Sequence, residues 1–419
     1  MTRPKLISLY SGAGGLDYGF EAAGFETGVC VELDHDCCET LRKSRPHWNV
    51  IERSIFDVTT KEMLEACGAR AGKVDLLIGG PPCQPFSKAG YWARGDSLRL
   101  EDPRASTLSA YLRVLEEAKP RAFLLENVEG LAYARKDEGL QLLLEGIAEI
   151  NRRTKSKYRV EHRVLNAASY GVPQLRERVF LVGARDGTPF VFPEPTHGEV
   201  QDDIGPLFAS AMRLAPYRTA WDAIGDVEPD ADEDLSVRGK WADLLPSIPE
   251  GQNYLYHTDR GEGRPLFGWR RRYWTFLLKL AKARPSWTIQ AQPGPAVGPF
   301  HWSNRRLSMR ELCRIQTFPD DVVIQGGRTS IQRQVGNAVP SLVGEVLGNA
   351  IRAQLLGGTA SPLKLLPPRR EPVPPPERPT AVPKKFRAME GKHTPHPGTG
   401  KGEGARARAQ AQAGTPDQL

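Results

Sequence analysis

Short apolar runs alternate with stretches of helical spacing through the first 190 residues. That alternation constrains the fold more than any other feature. Lys5–Tyr10, Glu26–Val31, Ile51–Ile55, Val74–Ile78 and Arg121–Leu125 read as strands, and Leu16–Ala23, Lys61–Cys67, Ser106–Ala118 and Leu140–Ile150 as helices. Apolar strands of this kind need cover on both faces, and strand–helix–strand order supplies it through a parallel sheet. The predicted fold is α/β, a doubly wound, mostly parallel sheet. Tyr158–Leu165 and Arg178–Gly183 add strands separated by Tyr170-Gly171-Val172-Pro173.

From about Val191 the alternation fades, and Trp221, Trp241, Trp269, Trp274, Trp287 and Trp302 fall within the next stretch. Residues 191–304 read as a smaller, irregular, β-rich domain. Residues 305–358 return to helical texture, with Arg306–Thr317 and Ser341–Leu356 as helices. Beyond Ser361 the chain has 12 Pro and few large apolar residues, so 359–419 is predicted to be a disordered tail. That tail carries 11 Lys/Arg against 5 Asp/Glu, which is +6 of the chain's +7. The body is therefore near neutral, and a nucleic acid would be held by local patches.

Several classes are disfavoured. No apolar run is long enough for a bilayer, and no signal peptide is read at the start. The six cysteines form no CxxC pair, which predicts reduced thiols in a cytosolic protein. The His residues are scattered, and no metal site is expected.

Open α/β sheets hold ligands at the carboxyl ends of their strands. After the first strand stand Ser11-Gly12-Ala13-Gly14-Gly15, a loop whose backbone can approach a polar ligand closely. It departs from GxGxxG and has no phosphate-holding Lys, which disfavours a dinucleotide or a nucleoside triphosphate. Glu32, at the end of the second strand, follows the glycines by about 20 residues, the spacing of a ribose acceptor. Asp34 reads as a helix cap. Loop and acid together favour a cofactor with a ribose and a small or cationic remainder, and S-adenosylmethionine fits better than NAD.

The run Val74–Ile78 leads into Gly79-Gly80-Pro81-Pro82-Cys83-Gln84-Pro85-Phe86-Ser87. Glycines let the chain turn and prolines stiffen it around a single thiol. Cys83 is either a nucleophile or an incidental residue in a Pro-rich turn. Glu126, ending another strand on the same edge, is either an acid partner for that thiol or a surface cap. Arg176 and Arg178 in Gln174-Leu175-Arg176-Glu177-Arg178 share a face if extended, and they could pair with acids or contact a base or phosphate. Between Arg260 and Arg284 eight Lys/Arg accompany one acid, most densely in Trp269-Arg270-Arg271-Arg272-Tyr273-Trp274. Such interleaving suits phosphate and base contact, or Arg packing on aromatics.

These motifs together resemble the cytosine-5 DNA methyltransferase family of bacterial restriction–modification systems. Ser11–Asp17 is similar to its first motif, Glu32 to its second and Pro81–Ser87 to its catalytic loop. Glu126–Val128, Gln174–Arg178, Arg306–Pro319 and Gln334–Pro340 follow in family order. The likeness covers roughly 5–190 and 286–356. It implies a catalytic and cofactor-binding domain at 1–190, completed by 305–358, and a target-recognition domain at 191–304.

The resemblance implies Cys83 as the nucleophile that adds to carbon 6 of cytosine, and Glu126 as the acid at ring nitrogen 3 and the exocyclic amine. It implies Arg178 on the carbonyl oxygen, with Arg176 supporting the loop. S-adenosylmethionine would lie among Ser11, Gly12, Ala13, Gly14, Gly15, Leu16, Glu32, Leu33, Ser54, Ile55, Pro81, Leu108, Asn337 and Val339. Gln84 and Ser87, with Arg270, Arg271 and Arg272, are expected against DNA. Two departures stand out: Tyr10 where the family has Phe, and Ser54 where it has Asp. The expectation is a monomeric cytoplasmic enzyme methylating a flipped cytosine in a specific duplex sequence, paired in function with a restriction endonuclease. A tRNA methyltransferase would carry a Cys-Phe-Thr element, which is absent. A silent DNA-binding regulator would not need Cys83, Glu126 and Arg178 together.

Overall fold

The computed structural model describes residues 3–82, 105–128, 138–199, 214–269 and 273–392. Seven strands form one sheet: β1 (Lys5–Leu9), β2 (Glu26–Glu32), β3 (Asn49–Glu52), β4 (Leu76–Gly79), β5 (Ala122–Val128), β6 (Arg159–Asn166) and β8 (Glu177–Ala184). Their order is β3-β2-β1-β4-β5-β8-β6. The first five pair in parallel, while β8 runs antiparallel to both β5 and β6. The link from β6 to β8 is a single 3-10 turn, Ala167–Tyr170, then Gly171 at φ 90° and the two-residue β7 (Gln174–Leu175). That is too short for a parallel crossover, so the chain folds back beside itself. The order reverses between β1 and β4, which opens a crevice at their carboxyl ends.

The helices are α1 (Gly15–Ala22), α2 (His35–Ser44), α3 (Thr60–Ala66), α4 (Ala105–Ala118), α5 (Glu138–Thr154), α6 (Ala220–Ile224), α7 (Met309–Ile315), α8 (Arg328–Asn337), α9 (Ser341–Leu355) and α10 (Lys384–Arg387). Reciprocal capping boxes start α3 (Thr59 with Glu62) and α7 (Ser308 with Glu311). On one sheet face Ile7, Leu9, Val29, Leu77 and Phe123 pack with Met63, Val114 and Ile147 of α3, α4 and α5. On the other Leu6, Ile78, Leu124 and Phe180 pack with Phe20 of α1 and Leu342, Leu347 and Ile351 of α9. Alternate residues thus face opposite layers, as a doubly covered sheet requires. The first and last large helices cover one face together. Their close approach needs glycine, since a Cβ on Gly19 would fall 2.1 Å from the Ser341 carbonyl oxygen.

Three expectations change. First, α8 was not anticipated, and Gln334 to Asn337 form its last turn rather than a lead-in to the final helix. Second, the described residues of 191–304 are irregular but not β-rich. They hold the two-residue strands His197–Gly198, Ala215–Pro216 and Ser286–Trp287, isolated bridges and 3-10 turns. Their core is a cluster of Leu244, Leu245, Ile248, Tyr254, Leu266, Leu277 and Phe300.

Third, residues 361–392 are not a free tail. Leu363, Leu365 and Leu366 lie on the α1–α9 layer, and both carboxylate oxygens of buried Glu345 accept backbone N–H groups of Lys364 and Leu365. The chain then crosses to the irregular region. Arg369 and Arg370 bond Asp222, Glu377 joins the buried Lys282–Glu250 pair, and Phe386 stacks on Trp241. Composition argues against a core built by this segment, but it borrows two existing ones. Among the described residues no helix is long and apolar enough to cross a membrane.

Candidate active site

A cleft of about 800 Å³ opens at the carboxyl ends of β1, β2, β4 and β5. Its floor is the turn after β1. Glu32 closes that turn from the next strand: its Oε2 accepts the Gly12 N–H at 2.8 Å, and its Oε1 accepts those of Leu33 and Asp34, both at 2.8 Å. Ser11, Gly12, Ala13, Gly15 and Leu16 line the cleft, whereas Gly14, at φ 83°, caps α1 behind it. Gly15 has no room for a side chain, because a Cβ there would meet the Val339 carbonyl oxygen at 2.3 Å. That contact brings Asn337 and Val339, from the far end of the chain, into the same cleft.

Leu33, Ser54 and Phe56 form the outer rim, and buried Ile55 also lines the cleft. Leu33 is 69% and Phe56 57% exposed, so two apolar side chains stand in water across an opening bordered by Glu32. Arg333 of α8 pins this rim by pairing with Asp34 at 2.5 Å, a contact across 299 residues that sequence reasoning could not see. The same Asp34 caps α2. The Arg333 hydrogen bond holds its carboxyl below the usual range. Tyr10 uses its hydroxyl to donate to the Thr107 carbonyl at 2.8 Å and so ties the loop after β1 to the start of α4.

The other end of the cleft holds Glu126 and Arg178. Arg178 Nε lies 3.0 Å from Glu126 Oε1. Burial pushes the Glu126 carboxyl up, against the pull of Arg178 and Arg176. Glu126 lies directly over Gly80, where an added Cβ would be 2.8 Å from Oε2. The neighbouring Asn127, buried, donates to the Pro81 carbonyl at 3.2 Å and anchors the turn after β4. Pro81 and Pro82 line the cleft, and Pro82 precedes Cys83 in the chain. Cys83, Gln84, Ser87, Arg270, Arg271 and Arg272 lie outside the described residues.

Not every expected residue meets the cleft. Leu108 is in the sheet core, and its neighbour Thr107 lines the cleft instead. Arg176 and Arg178 part company. Arg178 faces the cleft, whereas Arg176 is wholly buried and donates to the carbonyls of Gly336 and Asn337 at 3.0 and 3.4 Å. The basic stretch divides as well. Lys279 is buried on the Ile248 carbonyl, Lys282 sits in its ion pair with Glu250, and Arg264 bonds Glu390, so these three serve packing. Trp269 and Tyr273 remain 40% and 43% exposed on either side of 270–272, and the Arg260 guanidinium lies 4.2 Å from the Trp269 ring centroid. Among the described residues the polar atoms of His35, Glu39 and Glu52 lie within 4.8 Å of one another, but Arg42 already bonds both carboxylates and sets a cation there.

A family model described as C-5 cytosine-specific DNA methylase matches residues 4–353. The type II methyltransferase M.SacI of Streptomyces achromogenes is 44% identical over 372 residues, covering 84% of this chain and 93% of that protein. The type II methyltransferase M.AquIA of Picosynechococcus sp. is 47% identical over 227 residues, covering 54% of this chain and 89% of that one. A solved structure of a Spodoptera frugiperda DNMT2 mutant shares the fold, with a TM-score of 0.57 at 17% identity over 83% of this chain and 99% of its own.

Proposed function

Since the chain belongs to the C-5 cytosine-specific DNA methylase family, we propose that it methylates carbon 5 of a flipped cytosine in a specific duplex sequence, with Cys83, Glu126 and Arg178 as its reacting set. The observation that carries this reading is the Glu126–Arg178 pair, held beside Pro81 and Pro82 at the cleft's end.

S-adenosylmethionine fits the remaining cleft. Glu32 stands at the position of a ribose acceptor, and the exposed Leu33 and Phe56 are surfaces that a flat base would cover. When bound, the cofactor supplies an electrophilic methyl group on a sulfonium. The chain's own residues prepare the base. The Cys83 thiolate adds to carbon 6 while Glu126, whose pKa burial raises, protonates or hydrogen-bonds nitrogen 3. Arg178 donates to the carbonyl oxygen and keeps Glu126 oriented. Carbon 5 gains the electron density to take the methyl, and loss of its proton restores the ring and releases the thiolate. A stacked base cannot reach this cleft, so the target leaves the duplex.

Residues 191–304 serve target recognition in this reading, with Arg270, Arg271 and Arg272 between the exposed Trp269 and Tyr273. The type II naming of the relatives supports a cytoplasmic role that protects host DNA from a partner endonuclease.

Duplex DNA bearing 5-fluorocytosine tests the reaction, because fluorine cannot leave carbon 5 as a cation. With S-adenosylmethionine present, a complex that survives denaturing gels should form, depend on sequence context and vanish in Cys83→Ser. Trapping on fluorinated tRNA alone would transfer the protein to RNA. Trapping on neither, with cofactor binding confirmed, would indicate a silent regulator.

A further inference from the structure

The core of the irregular region, around Leu244, Leu266 and Leu277, is closed by Val382 and Phe386 and takes no residue from the sheet. Leu266 and Leu277 flank the exposed Trp269 and Tyr273 in the chain, so this outer core carries them. One support for it lies near the cleft. Trp274 packs edge-on against Trp287, with ring centroids 4.2 Å apart, and Trp287 pairs with Leu175, three residues before Arg178. A second support lies in the segment beyond α9. It begins at α6, whose Ala220, Ala223 and Ile224 pack with Tyr18 of α1 and with Trp48. Asp222 of α6 is buried, accepts the Arg370 N–H at 2.8 Å and pairs with Arg369 at 3.2 Å, while Arg370 also pairs with Asp226 at 2.7 Å. The far end is the buried Lys282–Glu250 pair. Glu250 accepts the Glu377 N–H at 2.8 Å, and Lys282 Nζ reaches the Pro375 carbonyl and the Glu377 carboxylate, both at 3.2 Å.

Between these two ends runs Glu371-Pro372-Val373-Pro374, mostly exposed. Proline fixes φ, so the stretch resists collapse and holds its ends at a set separation. A buried ion pair adds little net stability, and its best-attested use is to fix one arrangement. The family model ends at residue 353, so this stretch lies outside the shared pattern. We propose that residues 369–377 are a strut that orients the outer core, and with it Trp269 and Tyr273, toward the duplex. A body held at Trp274 alone can pivot. A second, stiff support removes that freedom before DNA arrives and so lowers the ordering cost of binding. The inference rests on the reading of 191–304 as the recognition region. Arg369, Arg370 and Glu377 are positioning residues in it, acting through the outer core.

Inserting Gly-Ser-Gly-Ser after Val373 lengthens the strut and leaves both ends able to dock. Methyl transfer from S-adenosylmethionine to a long duplex of mixed sequence reads the effect. KM for the duplex should rise about tenfold, with kcat and the KM for S-adenosylmethionine within about twofold. Bisulfite sequencing of the same duplex should show methylation spreading to sequences that the unaltered protein leaves alone. A segment that only stabilises would lower the melting temperature and leave the duplex KM and the methylated sequences as they were, and that result overturns the proposal. A parallel rise in the KM for S-adenosylmethionine overturns it as well. If the insertion misfolds, Val373→Gly with Pro374→Gly keeps the length and both ends and should move the same two readouts in the same direction. Unchanged readouts there overturn the proposal too. If the unaltered protein methylates no duplex, the recognition reading falls and the strut with it, an outcome distinct from these.

Discussion

Arg178 reaches diagonally across two antiparallel strands to Glu126, with Nε 3.0 Å from Oε1. In register Arg178 stands opposite Val128 and Glu126 opposite Phe180, so the pair spans one step of the sheet on one face. Two opposed influences meet at the carboxyl: burial raises its pKa and the guanidinium lowers it, and burial prevails. An acid in that balance keeps its proton nearer neutrality than a solvated glutamate while staying aimed by a fixed donor.

Glu126→Gln should lower methyl transfer by about 10²–10⁴-fold, the usual range for a lost general acid, and leave S-adenosylhomocysteine affinity within about twofold. Because the pKa is raised, the protonated form is lost as pH climbs past it. The single-turnover rate should therefore show a falling alkaline limb that Glu126→Gln lacks. An identical limb in both would place the titrating group elsewhere.

Gly80→Ala puts a methyl 2.8 Å from Glu126 Oε2 in the resting geometry. Glu126 must swing away, which loosens Arg178 as well. Activity should fall by about tenfold or more, with little change in melting temperature, since the displaced group is a side-chain end rather than backbone. Circular dichroism melts beside single-turnover assays would check it.

Cutting the chain after Gly358 should destabilise it, against the expectation from composition. The loss includes Leu363, Leu365, Leu366 and Phe386 with their partners. Roughly 3 kcal/mol of lost burial corresponds to a fall of about 3–4 °C for a chain of this size. Cutting after Lys392 should leave the melting temperature unchanged. Equal melts for both truncations would mean that the docked segment contributes nothing.

Asp17 gives ligand-free protein a stability slope of unusual sign. Its folded pKa of about 7 lies above the ordinary ~3.9. Below both values the two states are protonated alike. Between them the unfolded chain releases its proton and the folded one keeps it, which favours unfolding. This contribution therefore falls as pH rises from about 4 to about 7, then levels off, on the order of a few kcal/mol in total. Asp17→Asn should melt progressively higher than the parent across that window, as scanning calorimetry would show.

The sheet was legible because parallel strands buried on both faces leave apolar runs of the right length, and strand ends then locate Glu32 and Glu126. Contacts that join distant parts of the chain left no such trace. Arg333 meets Asp34 only because α8 lies against the loop after β2. Arg176 and Arg178 share a spacing, but only the first lies beneath Gly336 and Asn337. The docked segment misled for a related reason: a few leucines and one phenylalanine cannot build a core, yet they can finish two. Leu108 against Thr107 is a shift of one residue around a helix start, finer than spacing resolves.

The cleft draws its walls from both ends of the chain, Gly12 and Glu32 early, Asn337 and Val339 late, with Lys364 Nζ reaching back to the Ala22 carbonyl. During synthesis at about 5–20 residues per second, the early half of the sheet waits on the order of tens of seconds for these partners. Through that interval the α1 face of Leu16 and Phe20 lacks its α9 cover. The nascent protein thus carries an apolar surface that waits for α9. Residues 341–386 close that surface and join it to the irregular region, so a chain broken off before them has the sheet formed and its cover missing.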